Sequence, residues 1–324
     1  MIQVVVVFLL LNVALVRGHG FGFDYFSRTN TKNVTLPSTL MEAESSGWIR
    51  TSRFNTDGDD CREGLGIEYT EGLNTHSKER PMSLFFEAAP TGRVSALSVR
   101  AWFSDSYFYN PSTWQDPSFG VIAEGERMVT VTTRDPTTLC DRLPSTKKDL
   151  SMLGDRLIMN INDAMEGFVE IPTVVPSDTD GPWKFGACQE AMSRHWGYPL
   201  DGNSESLYGY DHGVHVLPVV PMYSVPEGEG ARITALAFFT TEPQVTFKDG
   251  GVWDATGTAE QLCGGNFCLD AAKCEYGEGN SVFHVFFVDQ WSAPAQCGAG
   301  GSPDCAAVWQ YPDGVPKKYP CMME

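Results

Sequence analysis

The chain has 324 residues, of which 42% are hydrophobic, and its formal net charge is −18 at pH 7. A surface this acidic repels phosphate groups, which excludes nucleic acid as a favoured partner. The length is sufficient to bury a large hydrophobic core in one domain or two.

The first 18 residues are typical of a secretory signal peptide. The run from Val4 to Val16 is apolar except for Asn12, and it is too short to span a bilayer. Cleavage after Gly18 would start the mature chain at His19 and would make the protein secreted and extracellular. No later segment is apolar enough for a transmembrane helix, so we expect no membrane span.

Residues 19–39 are predicted to form an N-terminal arm ahead of the globular core. Asn33 begins the sequon Asn-Val-Thr, so the exported chain is expected to be a glycoprotein. His19, at the new N-terminus, offers an amino group and a ring nitrogen to one copper ion. The Val-Arg-Gly/His-Gly junction resembles that of secreted copper monooxygenases that cut polysaccharides. This resemblance covers two residues and implies His19 as a copper ligand.

The pattern from residue 40 to residue 262 predicts a β-rich globular core with few short helices. One helix is expected at 40–46, with Ser38 or Thr39 as its N-cap, and another at 187–195. The fold class is therefore mainly β, either β-sandwich-like or β-rich α+β, and residues 177–182 are either a domain boundary or an internal loop. Short β-branched or aromatic runs predict strands at 81–88, 93–103, 127–134, 155–163, 167–175, 213–223, 231–241 and 282–289.

An acidic turn early in this core is a candidate calcium site. Asn55, Asp57 and Asp59 occupy alternate positions and offer the oxygen ligands that calcium prefers. The glycine of this turn does not stand at the sixth position of an EF-hand loop, so the competing interpretation is a solvated acidic turn.

Aromatic side chains crowd residues 102–114, beginning at Trp102. Such a cluster either stacks on a glycan or another small-molecule ligand, or forms the edge of the hydrophobic core.

Three of the six histidines fall close together, at His195, His212 and His215. Neutral imidazoles from a helix end, a loop and a strand would suit copper, zinc or iron. In a regular strand His212 and His215 point to opposite faces, so they converge only if Gly213 introduces a bulge or turn. Asp211 would then orient one of the two imidazoles by accepting a hydrogen bond from the ring nitrogen that does not bind the metal.

Two other interpretations of these histidines remain open. They are ordinary structural histidines, or else His195 or His212 is a metal-free general base assisted by Asp211, Tyr198 or Asp201. His284 stands in the apolar run Val-Phe-His-Val-Phe-Phe-Val, where it is either a core histidine bonded within the protein or a pocket residue that completes the metal cluster.

Nine cysteines follow the predicted signal peptide, and they are expected to form disulfide bonds in an exported protein. Because nine is odd, one cysteine is unpaired or forms an intermolecular disulfide. Six of them fall within 263–324, which predicts a disulfide-rich, loop-rich C-terminal segment packed on the core. The nine are Cys61, Cys140, Cys188, Cys263, Cys268, Cys274, Cys297, Cys305 and Cys321.

These features favour a secreted, disulfide-stabilised, metal- or oxygen-dependent oxidoreductase with a histidine-centred site. Its class would be that of orphan secreted oxidases, monooxygenases or some animal luciferases. The alternative is a non-catalytic extracellular binding or matrix protein stabilised by disulfides and calcium. A hydrolase that uses histidine with Asp or Tyr has less support, because a Gly-x-Ser-x-Gly elbow and a phosphate loop are absent from the sequence.

Overall fold

The computed structural model describes the strands, one short helix and their immediate connections. The described residues are 27–28, 34–51, 60–71, 78, 81–89, 92–102, 126–140, 154, 156–160, 168–176, 182–189, 193–198, 219–224, 232–240, 244, 254–255 and 281–287. They form two antiparallel sheets, which we call sheet I and sheet II.

Sheet I is built from the first half of the chain. Its strands run β10-β9-β8-β7-β6-β5-β3 across the sheet, and β4 pairs with β5. Consecutive strands are therefore mostly neighbours, as in a meander. The strands are β3 (Trp48–Arg50), β4 (Cys61–Arg62), β5 (Gly66–Glu71), β6 (Met82–Phe86), β7 (Val94–Trp102), β8 (Glu126–Thr132), β9 (Leu157–Asn160) and β10 (Phe168–Ile171).

Sheet II combines the second half of the chain with two short strands of the N-terminal arm. Its order is β11-β12-β13-β14-β16-β1-β2, with β15 paired to β16, so β16 lies inside the sheet. The strands are β1 (Ser27–Arg28), β2 (Val34–Thr35), β11 (Lys184–Gln189), β12 (Ser193–Gly197), β13 (Val219–Ser224), β14 (Arg232–Thr240), β15 (Asp254–Ala255) and β16 (Ser281–Phe286).

The inner faces of the two sheets share one hydrophobic core. Leu84 and Leu97 of sheet I and Phe238 and Val285 of sheet II are all members of it. These side chains alternate along their strands with residues that face outward, as the two-residue period of a strand requires. Burying each such side chain contributes about 1.5–3 kcal/mol, so this core is the main source of stability.

The single described α-helix, α1 (Leu40–Ser45), begins at Thr39 as predicted. The Thr39 side chain accepts a hydrogen bond from the Glu42 backbone at 3.2 Å, and the Glu42 carboxylate accepts one from the Thr39 backbone at 3.3 Å. This capping box satisfies amide groups that the first helical turn leaves without partners.

A disulfide joins Cys61 of β4 to Cys140, across a sequence separation of 79 residues. It ties a two-residue strand at the edge of sheet I to the turn that follows the 3-10 helix Pro136–Thr138. Cys188 lies in β11, and the six cysteines from Cys263 onward lie outside the described residues.

The mainly β fold class is confirmed. The strands predicted at 155–163 and 167–175 form the antiparallel pair β9–β10, and those predicted at 213–223 and 231–241 form the antiparallel pair β13–β14. The predicted helix at 187–195 is wrong. Residues 187–189 belong to β11 and residues 193–195 to β12, which pair as antiparallel strands. The helical preference of the intervening residues is weaker than the gain from pairing β12 with β13 in the sheet.

Gln244 connects the ends of the two sheets. Its amide nitrogen donates to the Trp102 carbonyl and its amide oxygen accepts from the Trp102 backbone N–H, each at 2.9 Å. Its own backbone N–H donates to Ser281 Oγ at 2.9 Å. Trp102 ends β7 and Ser281 begins β16, so one buried residue holds both elements, β7 through its side chain and β16 through its backbone.

We expect Gln244→Glu to lower the free energy of unfolding by about 2 kcal/mol, because the buried Trp102 carbonyl then faces an acceptor instead of a donor. Urea denaturation at pH 7 measures this loss. Glu170→Gln, the reverse exchange at an exposed position, is the control and should change stability by less than about 0.5 kcal/mol. Equal effects of the two substitutions would contradict the proposed link.

Within the described part of the chain, no helix has the length and apolar composition that crossing a bilayer requires.

Candidate functional site

Both sheets carry buried polar side chains on their outer faces, away from the shared core. Sheet II places His195 and His284 there, and sheet I places arginine, glutamate and hydroxyl side chains there. The outer face of a two-sheet sandwich normally meets solvent, so polar residues on it need no protein partner. Here these residues are buried, and each one needs compensation for its lost hydration.

The strand register places His195 and His284 on the same outer face of sheet II. His195 pairs with Met222 of β13, and Met222 pairs with Ala235 of β14. Ala235 pairs in turn with Phe286 of β16. His284 precedes Phe286 by two positions, so it points to the same side. We call these five residues the histidine face.

The histidine face is apolar around its two imidazoles. Met222, Ala235 and Phe286 form a small hydrophobic cluster separate from the shared core. The His284 ring stacks on the Phe286 ring, with centroids 5.8 Å apart and an interplanar angle of 27°. His195 is 8% exposed and His284 is 2% exposed, so both rings are largely removed from water.

Burial lowers the pKa of His284 to about 3, and the charge of His195 lowers it further in the same direction. The His284 imidazole is therefore neutral across the physiological pH range. The interaction also places the two histidines within electrostatic range of each other. A neutral imidazole is the form that binds transition metals, so no proton competes for His284 at neutral pH.

Tyr198, a predicted catalytic partner of His195, does not join the histidine face. Its ring lies 5.3 Å from that of Trp183 and packs against the shared core. Trp196 also belongs to that core, whereas His195 points to the opposite side of β12. The structure therefore does not bring Tyr198 to His195 as an acid–base partner.

The other predicted ligands lie outside the described residues, and the structure does not test them. Within the described ranges, no group of three or more His, Cys, Asp or Glu side chains is placed to hold a metal ion. The predictions left untested concern the metal ligands His19, His212 and His215, the orienting Asp211, the calcium ligands Asn55, Asp57 and Asp59, and the glycosylation site Asn33.

A second buried polar group lies on the outer face of sheet I, and we call it the charged cluster. It consists of the buried Glu68, Arg100 and Glu126 together with the half-buried Arg62. Arg100 Nη2 lies 2.7 Å from Glu68 Oε1, and Arg100 Nε lies 3.2 Å from Glu126 Oε1. The second oxygen of Glu68 accepts a hydrogen bond from Thr51 Oγ1 at 2.8 Å.

Arg62 completes the charge balance of this cluster. Burial lowers its pKa to about 9, with Glu68 raising the pKa and Arg100 lowering it. Arg62 therefore keeps its charge at neutral pH. Its guanidinium and that of Arg100 offset the carboxylates of Glu68 and Glu126, so the charged cluster carries no net charge.

A row of hydroxyl side chains crosses sheet I beside the charged cluster. Thr70 pairs with Ser83, Ser83 with Ser98, and Ser98 with Thr130, so the four stand on neighbouring strands. The Ser98 and Thr130 hydroxyls bond to each other. Among the described residues, Thr70 Oγ1 and Ser83 Oγ are buried and have no hydrogen-bond partner. We call these four residues the hydroxyl row.

The charged cluster and the hydroxyl row were not predicted from the sequence. The sequence feature that points to them is the alternation of polar and apolar residues in Gly66–Glu71 and Val94–Trp102. Alternation predicts one polar face, which is ordinarily solvent-exposed. Burial of that face depends on other parts of the chain, and local patterns do not encode it.

The fold and its two polar faces define a two-sheet antiparallel β protein with buried chemistry on the outer side of each sheet. Comparisons of this chain with protein-family models, with curated proteins and with solved structures find no match.

Proposed function

We propose that the protein is a secreted, disulfide-stabilised oxidoreductase whose centre is the histidine face. The observation that carries this proposal is the placement of two buried histidines, 89 positions apart in sequence, on one face of sheet II. Copper, zinc or iron would bind His195 and His284 as neutral imidazoles. His212 and His215, in the connection between β12 and β13, are the proposed further ligands.

Oxidation chemistry is the proposed use of such a centre. Copper or iron held by imidazoles reacts with dioxygen, and an oxidase of this class takes two electrons and two protons from its substrate to form hydrogen peroxide. The apolar surroundings of Met222, Ala235 and Phe286 support this proposal, because a low-dielectric shell controls the potential of a bound metal and its access to water. The proposal also includes secretion of the protein and its glycosylation at Asn33.

Metal analysis of protein purified from a secreting eukaryotic host tests the histidine centre. We expect about one equivalent of copper, iron or zinc per chain, and loss of that metal in His195→Gln and His284→Gln, because each substitution removes an imidazole ligand. Circular dichroism verifies that each variant folds. The matched control is His76→Gln, which removes a histidine outside the proposed centre and should leave the metal content unchanged.

Wild-type protein without stoichiometric transition metal, even after incubation with each ion, would contradict the proposed centre. Metal that persists in a folded His195→Gln variant would contradict the assignment of His195 as a ligand.

We propose as the alternative function the binding of a small molecule or glycan by a secreted protein. The disulfide Cys61–Cys140 supports the extracellular part of this proposal, because such bonds form and persist in oxidising compartments. This function fits the alternative of a non-catalytic extracellular binding protein, and it does not require a metal. An intermolecular disulfide through the odd cysteine is also retained as a proposal.

A further inference from the structure

We propose that the Cys61–Cys140 disulfide is a redox-sensitive latch, which holds β4 against sheet I and keeps Arg62 beside Glu68 in the charged cluster. Reduction of this bond releases β4 and withdraws Arg62 from the cluster, while the rest of the sheet stays folded. The latch lies on sheet I, so it is independent of the histidine face and of the oxidoreductase proposed for it.

The strand β4 has few contacts of its own with the sheet. It contains two residues and forms two pairs with β5, Cys61 with Ile67 and Arg62 with Gly66. Among the described strands, β5 is its only partner. Even a complete isolated hairpin is marginally stable in water, so a strand of this length needs a further attachment.

The other contacts near β4 do not supply that attachment. The Leu65 N–H donates to the Arg62 carbonyl at 3.0 Å, which closes the turn between β4 and β5. The Leu65 carbonyl accepts a hydrogen bond from the Ser95 hydroxyl, which fixes the β5 end of this turn. Arg50 Nη2 lies 2.7 Å from Asp60 Oδ2, but this ion pair is partly exposed and contributes little. The disulfide is therefore the main attachment of β4.

The opposite end of the disulfide is firmly held without it. The Leu139 carbonyl accepts a hydrogen bond from the Ala88 backbone N–H at 2.9 Å, and Leu139 is 1% exposed. Arg134 Nε donates to the Val94 carbonyl at 3.0 Å. These contacts hold the segment before Cys140 to β7 and to the connection that precedes it. The bond thus ties a weakly held strand to a firmly held segment.

The position of Arg62 depends on this attachment. Cys61 packs against the shared core, so the next residue, Arg62, points to the outer face of sheet I. Arg62 pairs with Gly66, and Glu68 lies two positions further along β5 on the same side. Long side chains in such a diagonal arrangement reach each other across two strands. Arg62 therefore lies beside Glu68 only while β4 lies against β5.

A dithiol is the class of reductant that would open the latch. Both cysteines are half-buried, and partly exposed disulfides are reduced more readily than buried ones. One thiolate of the dithiol attacks a sulfur of the bond and forms a mixed disulfide, which its second thiol then displaces. The protein gains two electrons and two protons as the thiols of Cys61 and Cys140, and the dithiol becomes a disulfide.

Limited digestion with trypsin tests the latch on the full-length protein, before and after treatment with dithiothreitol under native conditions. Trypsin must bind the Arg62 side chain to cut the Arg62–Glu63 bond, so cleavage requires that this side chain leaves the charged cluster. We expect reduction to accelerate this cleavage at least about tenfold. Mass spectrometry measures the rate, and labelling with iodoacetamide verifies that Cys61 and Cys140 have become thiols.

Cleavage after Arg127 in the same digest is the internal control. Arg127 belongs to β8, which lies between β7 and β9 in sheet I, so its cleavage rate should not change. The double variant Cys61→Ser, Cys140→Ser should be cut after Arg62 without dithiothreitol. Cys188→Ser, which removes a cysteine of sheet II, should remain as resistant as wild type.

Unchanged cleavage after Arg62, when both cysteines are fully reduced, would overturn the latch. Equal acceleration after Arg62 and Arg127 would also overturn it, because the bond would then hold sheet I as a whole. If the double variant does not fold, reduction of the folded wild type decides between these outcomes.

Discussion

Replacing Arg100 with Met is expected to destabilise the protein by about 3–5 kcal/mol, the cost of removing one partner from a buried ion pair. Arg100 is 3% exposed, and its guanidinium contacts both Glu68 and Glu126. Without it, two carboxylates remain in a buried site with only Arg62 to balance them. Urea denaturation of wild type and Arg100→Met at pH 7 measures the difference.

A variant of an exposed ion pair tests whether burial causes this loss of stability. Arg50→Met breaks a pair of similar length, since Arg50 Nη2 lies 2.7 Å from Asp60 Oδ2, but Arg50 is 46% exposed. We expect that control to cost less than about 1 kcal/mol, because water screens the exposed pair. A loss of similar size for both variants would contradict the burial of the charged cluster.

The quadruple replacement Arg62→Met, Glu68→Leu, Arg100→Met and Glu126→Leu removes all four ions together. If the charged cluster contributes little to stability, this variant should be about as stable as wild type or more stable. A quadruple variant as unstable as Arg100→Met would show that the charges are kept for folding.

The sheets were predictable because their strands carry local signals. Val94–Trp102 and Ser281–Phe286 are runs of β-branched and aromatic residues, and each forms a strand inside its sheet. Thr39 precedes the helix with Glu42 three positions later, which is the sequence pattern of a capping box. These features depend on neighbouring residues, so they can be read without knowledge of the tertiary fold.

Residues 187–195 show where local signals fail. Their composition favours a helix, but the chain forms the pair β11–β12, and β12 extends sheet II through its pairing with β13. The pairing of Arg194 with Tyr223 and of His195 with Met222 joins segments almost thirty residues apart. Tertiary contacts of this kind outweigh helix propensities of a few tenths of a kcal/mol per residue.

The candidate sites were only partly predictable for the same reason. The sequence indicated His195 and His284 separately, each as a candidate metal ligand. That they share one face follows from the register of four strands, β12, β13, β14 and β16. Glu68, Arg100 and Glu126 alternate with core residues and resemble solvent-facing positions of amphipathic strands. Their burial is a property of the assembled fold.

Acidification is expected to destabilise the metal-free protein through His284, with a slope of about 1.4 kcal/mol per pH unit from this residue alone. The folded-state pKa is about 3, while the reference value is 6.5. Between these values the unfolded chain binds a proton that the folded chain excludes. The His284 contribution to stability is therefore fully present above pH 6.5 and is lost as the pH falls toward 3.

The measurement compares wild type with His284→Gln, both treated with EDTA, by urea denaturation at intervals between pH 7 and pH 4. Carboxylates also titrate in this window, and they contribute equally to both proteins, so the difference between the two slopes isolates His284. His195 is the titratable group whose charge acts on His284, and it remains in both proteins. We expect the variant to lose less stability on acidification than wild type. Parallel pH profiles would mean that His284 takes up a proton in the folded state, which requires water or an acidic partner at the histidine face.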